Sequence, residues 1–135
     1  MLNHLSRFSK SFLVVSYELV MELILSLPRY RVFCNLKAFF LRSVGATVGK
    51  RVDIYSGVWI SPGRNLKIGN EVDLAKGVLI TTGGGVEIGD RTLIGYRTQI
   101  LSTNHEITNA GEKIPVSGNI HMPIKIGKDA WIGAN

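Results

Sequence analysis

The chain has 135 residues, with 16 Lys and Arg against 10 Asp and Glu, a formal net charge of +6. That length accommodates one domain with an N-terminal appendage, and the single cysteine, Cys34, excludes an intramolecular disulfide and fits a reducing compartment, so a cytoplasmic location is expected. The charge is uneven: residues 1–51 hold eight basic residues against two Glu while residues 52–135 hold eight of each sign, so the excess reports on what the N-terminal region meets, and no nucleic-acid partner is expected.

Residues 12–27 form a strongly apolar run preceded by Arg7 and Lys10. A signal peptide would look similar, but Glu18 and Glu22 interrupt the run and no small-residue cleavage pattern precedes Pro28. The run is also short of the roughly 20 residues a bilayer span requires. Glu18 and Glu22 are four apart and fall on one side of a helix, which predicts an amphipathic helix ending near Pro28. A second helix is expected over residues 30–43, carrying Phe33, Leu36, Phe39 and Phe40. Two roles stay open for residues 1–45. They cap the open first turn of the repeat that follows, or they contact the inner face of an anionic membrane, with Arg7, Lys10, Arg29 and Arg31 meeting head groups.

From residue 46 onward a three-residue pattern recurs: a small or β-branched residue, any residue, then Ile, Leu or Val. The third positions are Val48, Ile54, Ile60, Ile68, Leu74, Ile80, Ile88, Ile94, Ile100, Ile126 and Ile132. They are separated by 6, 6, 8, 6, 6, 8, 6, 6, 26 and 6 residues, which means three short strands per turn of 20 residues. Because alternate side chains of a strand share a face, the first and third residues of each triple point inward. Gly49, Gly69, Gly89 and Gly127 follow the first strand of each turn, and Gly57, Gly63, Gly77 and Gly83 fall past the others, at corners expected to need glycine dihedrals. The expected fold is an all-β solenoid, three-sided, with turns stacked about 4.8 Å apart. Lys67, Glu87 and Lys125 should stack as opposite charges on one side, and Asp53 and Asp73 as like charges on another.

The step of 26 is the expected 8 with 18 residues inserted, and insertions in compact repeats are disproportionately functional. The insertion, about residues 103–123, opens with Thr103-Asn104-His105-Glu106 and closes with His121-Met122-Pro123. His121 is read as a loop histidine, and His4, near the terminus, carries no signal. Two histidines and no cysteine near the solenoid exclude a three-ligand zinc site of nitrogen and sulfur donors, so no metal is expected.

The run Ile88-Gly89-Asp90, Ile94-Gly95, Ile126-Gly127 and Trp131-Ile132-Gly133 resembles the hexapeptide-repeat acyltransferases, over roughly residues 46–135. It looks like the branch of galactoside, maltose and serine acetyltransferases and, more loosely, the O-acetyltransferases of surface-polysaccharide pathways. The resemblance implies a left-handed parallel β-helix, against the right-handed crossover that general topology favours. It implies acetyl-CoA as acyl donor, a homotrimer with active sites between subunits, and a general base at the position of His105.

The chemistry suits that residue type. Acetyl transfer to a hydroxyl requires removal of its proton as the oxygen attacks, and histidine, with an ordinary pKa near 6.5, accepts it at neutral pH. Asn104 is a candidate donor to the developing oxyanion, and Glu106 a candidate to orient the imidazole. The resemblance places Trp131 at the acceptor site, with a plain interface aromatic as the other reading. The expected activity is O-acetylation of a sugar or surface-polysaccharide precursor by direct transfer. The alternatives are a non-catalytic structural β-helix, or an acetyltransferase for serine or an antibiotic. The chain stops at Asn135 partway through a turn, so truncation relative to a longer natural protein is expected.

Overall fold

Triples of branched residues at this spacing make very short strands. The computed structural model, which describes residues 2–106, 111 and 118–135 (residues 2–8 by their backbone alone), has thirteen of them after two helices. Expectations on the side chain of Arg7 and on residues 107–110 and 112–117 lie outside the described residues.

Eleven of the strands fall into three parallel sheets that the chain visits in rotation, and the other two pair antiparallel in the insertion. The first contains β1 (Thr47–Val48), β4 (Leu66–Ile68), β7 (Val86–Ile88) and β12 (Ile124–Ile126), in that order. The second contains β2 (Asp53–Ile54), β5 (Asp73–Leu74), β8 (Leu93–Ile94) and β13 (Trp131–Ile132). The third contains β3 (Trp59–Ser61), β6 (Leu79–Thr81) and β9 (Gln99–Leu101). Register follows the repeat: Thr47 pairs with Lys67 and Lys67 with Glu87, each twenty residues on, while Glu87 pairs with Lys125 once the insertion has been skipped. The arrangement, parallel strands in several parallel sheets behind two helices, is consistent with a parallel β-helix-like fold.

The first nine third-position residues, Val48 to Ile100, are all buried, in columns such as Ile60, Ile80 and Ile100. Thr92 and Thr98 take the place of Val in two columns. Their buried hydroxyls donate to the carbonyls of Gly127 at 2.8 Å and Gly133 at 2.9 Å, which offsets the desolvation a hydroxyl otherwise suffers. On the outer surface Glu87 reaches Lys125 at 3.4 Å, as the stacking predicts.

The corner glycines divide into two kinds, which corrects the expectation that dihedrals explain them all. Gly57, Gly63 and Gly77 do have positive φ (78°, 89° and 79°). Gly49, Gly69 and Gly89 do not; a Cβ on Gly49 would lie 2.4 Å from the carbonyl oxygen of Gly69, so close stacking of successive turns excludes a side chain there. The left-handed position at that corner belongs instead to Arg51, Glu71, Arg91 and Asp129, with φ of 55–58°. Neighbouring turns join these residues as the ion pairs Arg51–Glu71 and Arg91–Asp129.

Helix α1 (Leu2–Leu25) and helix α2 (Arg31–Ser43) pack on β1, β2 and β3. Met21, Leu25 and Leu41 enter the same apolar cluster as the strands, so the helices cover the first turn. Of the apolar residues expected on α2, Phe40 packs against the core and Phe33 is half-buried, whereas Leu36 and Phe39 are exposed; Cys34, Lys37, Ala38 and Leu41 are buried. Lys37 is tolerated there because its Nζ donates to the carbonyls of Leu27 at 2.6 Å and Ile54 at 2.8 Å, acceptors left free just beyond α1 and at the end of β2. Burial pushes its pKa below the ordinary lysine value. Arg29 and Arg31, expected to meet head groups, turn to the second sheet instead. Arg31 pairs with Asp53 at 3.1 Å, and Arg29 lies 4.4 Å over the Tyr55 ring and hydrogen-bonds its hydroxyl.

Candidate functional site

The insertion leaves from β9 and begins as an antiparallel hairpin. Strand β10 (Thr103–His105) pairs with β11 (Asn119–His121) in the register Thr103↔His121, Asn104↔Ile120 and His105↔Asn119. The hairpin base is pinned. Buried Ser102 accepts from the backbone N–H of Gly84 at 3.1 Å and donates to the carbonyl of Thr81, and the N–H of Met122 donates to the Ser102 carbonyl at 3.0 Å. The run Gly83-Gly84-Gly85 makes the close approach feasible. A Cβ on Gly83 would lie 2.5 Å from Thr103 Oγ1, and one on Gly84 would lie 2.4 Å from the Ser102 carbonyl oxygen and 2.6 Å from Met122 N. Gly84→Ala is therefore expected to push both legs of the insertion outward, at a cost of about 1–3 kcal/mol from overpacking. A thermal melt of the variant, together with its amide spectrum around residues 102–106 and 119–122, checks it.

His105 is exposed on this hairpin. Strand alternation puts Thr103 and His105 on one face, with His121 and Asn119 opposite them, and the Thr103 hydroxyl lies 3.1 Å from His121 Nδ1. Asn104 faces the other way, and its Oδ1 accepts from the His105 backbone N–H at 2.9 Å. Glu106 continues the hairpin by donating its N–H to the Gly118 carbonyl at 2.9 Å. The structure thus gathers His105, Thr103 and His121 on one surface and sets Asn104 behind them.

Trp131 is elsewhere. It stands 78% exposed on the second sheet, in register with Leu93, which in turn pairs with Asp73 and Asp73 with Asp53. Beside it lies a cavity of about 230 Å³ lined by Tyr55, Asp73, Leu93, Gly95, Tyr96 and Trp131 among others. Tyr55 and Tyr96 meet edge to face at 6.2 Å, and Arg29 braces the Tyr55 ring from α1's end of the molecule. Asp73 Oδ1 is buried and meets no hydrogen-bond partner among the described residues. Its pKa is raised, first by burial and then by the Asp53 carboxylate stacked on it, with Arg29 acting in the opposite direction. Asp73, Tyr55 and Tyr96 were not foreseen as site residues; the available signal was their common position on or just after second-sheet strands once the turns are superposed.

A carboxyl with a raised folded-state pKa favours the fold while protonated, and that advantage is lost as pH rises from the unfolded value near 3.9 through the folded one. Asp73→Asn is therefore expected to melt at a higher temperature than the parent at pH 7, with the difference shrinking at pH 4. Melting curves at both values check the sign.

A second cavity, about 480 Å³, adjoins the first through Tyr96 and Ala134 and is lined also by Gly57, Lys76, Gly77 and Arg97. No carboxylate side chain lines it, and neither cation makes an ion pair among the described residues. No group of three or more His, Cys, Asp or Glu is placed to hold a metal ion among the described residues. The chain matches no family model, no curated protein and no solved structure.

Proposed function

We propose that this chain is a left-handed parallel β-helix, residues 46–135, behind a helical region 1–45, and that it transfers acetyl from acetyl-CoA to a hydroxyl of a sugar or surface-polysaccharide precursor on the cytoplasmic side of the membrane. The observation that carries the reading is the single break in the repeat: it presents His105 on a hairpin whose base is hydrogen-bonded into the core through Ser102. A group that moves a proton has to be positioned, and the backbone that carries this one is pinned at the hairpin base.

The thioester supplies an activated acetyl group. His105 takes the proton from the acceptor hydroxyl as that oxygen attacks, and returns it to the departing sulfur. With no reactive cysteine and no Ser-His-Asp constellation among the described residues, direct transfer is the simplest scheme. Asn104 keeps its amide N–H groups free to donate, on the far side of the strand from His105. Glu106 is the nearest acid in sequence to the imidazole. The second cavity suits the donor: Lys76 and Arg97 have no carboxylate partner among the described residues, which leaves them for the phosphates of coenzyme A. The first cavity suits a sugar, which stacks its ring on the exposed Trp131.

His105 leaves from the third sheet and Trp131 stands on the second. Side-by-side packing of three copies, each hairpin reaching its neighbour's second sheet, brings the two together, and this is why we assign a homotrimer. Sedimentation equilibrium at micromolar concentration is expected to give three times the chain mass. Release of coenzyme A from acetyl-CoA in the presence of a panel of sugars and glycan precursors tests the activity. No release with any acceptor favours a non-catalytic structural β-helix, and release with serine or an aminoglycoside alone reassigns the acceptor.

A further inference from the structure

Among the described side chains of α1, residues 9–25, cover is confined to one side and to the second half of the helix. Tyr17, Met21 and Leu25, spaced four apart, turn toward the strands. The opposite side presents Phe12, Val15, Leu19 and Leu23. Helix α2 likewise presents Val32, Leu36 and Phe39 opposite its buried Cys34, Lys37 and Leu41. All seven outward side chains are at least 43% exposed. One turn before Tyr17, Leu13 and Val14 fall on the side that is covered further along, yet they are 67% and 54% exposed. Successive helical residues are about 100° apart, so the stretch 12–15 is apolar in every direction.

A helix that is apolar all round is one that something surrounds. A protein partner or a second copy seated on the outer stripe leaves Leu13 and Val14 in water. The acyl region of a lipid leaflet reaches every side of a helix end that dips into it. The charges agree, because the first 17 residues carry Arg7 and Lys10 and no acid, the first being Glu18. Crossing is a different matter: no described helix is long and apolar enough to span a membrane.

We propose that the first half of α1, together with the outward faces of α1 and α2, binds the surface of an anionic bilayer while the second half of α1 stays docked as the cover of the first turn. Covering and lipid contact are then served by different parts of one helix. The inference stands apart from the acetyl-transfer reading and survives its failure.

Co-sedimentation of the 135-residue chain with vesicles of phosphatidylcholine alone, and of equal parts phosphatidylcholine and phosphatidylglycerol, tests it. The chain is expected to pellet with the anionic vesicles, and less so at 1 M salt, where the Debye length falls to about 3 Å. Lys10→Gln should weaken partition roughly fivefold. The double variant Leu13→Ser, Val14→Ser alters only exposed side chains, so it should keep the parent's circular dichroism while losing vesicle binding more than about tenfold. Recovery of the parent in the supernatant with both vesicle types overturns the proposal. So does a double variant that binds as well as the parent. Self-association without lipid that the double variant abolishes assigns the surface to a second copy instead.

Discussion

Replacing His105 with alanine is expected to lower acetyl-transfer turnover by roughly 10²- to 10⁴-fold, the loss that accompanies removal of a general base, while leaving acetyl-CoA binding unchanged. The structure makes this a clean substitution. The imidazole is exposed and has no side-chain partner among the described residues, and the hairpin is held by backbone pairing and by Ser102, none of which the change touches. A structural histidine would show itself as a loss of thermal stability with activity falling in proportion; a base shows itself as lost turnover with the melt intact. His121→Ala is the matched control, since it removes an imidazole from the same face but one tied to Thr103 at 3.1 Å. Turnover of His105→Ala within a factor of a few of the parent would remove His105 from the mechanism, and an effect larger for His121 would transfer the role.

The strand placement and the buried columns were legible because the 6, 6, 8 stepping leaves no freedom: shifting any triple by one residue turns Ile60 or Ile80 outward. The insertion was legible for the same reason, as the one interval that departs from the series. Other features depend on partners distant in sequence. Nothing near Lys37 announces that two carbonyls, one before α2 and one after it, will receive its ammonium. The glycines at 49, 69 and 89 look like turn residues, and only the stacked turns reveal that the constraint is a neighbouring backbone. Asp73 is the clearest case. An outward acid in a repeat reads as a solvated side chain, whereas Asp73 is half-buried with one oxygen out of reach of solvent, in a cavity lined by Tyr55, Tyr96 and Trp131 from three different turns. His105 could be singled out by its place in the chain, but its separation from Trp131 on another sheet could not.

Ile80→Asp is expected to abolish the cooperative fold. Ile80 has no exposed surface and sits in the middle of its column, in register with Ile60 on one side and Ile100 on the other. An aspartate there is surrounded by apolar inward neighbours such as Ile60, Ile100 and Val78, and the backbone N–H groups are engaged in the parallel ladders. Burying an unpaired carboxylate costs several kcal/mol even after its pKa adjusts, and the lost packing of the sec-butyl side chain adds about 2–5 kcal/mol. Together these approach the whole stability of a small domain, about 5–15 kcal/mol. The repeat aggravates the effect, since each turn is held only by its neighbours and a break in a central turn uncouples those on either side. Leu101→Asp, an outward change 49% exposed on the third sheet, is the contrast and should melt within a few degrees of the parent. A cooperative melt retained by Ile80→Asp within that same margin would mean that the column is not the core.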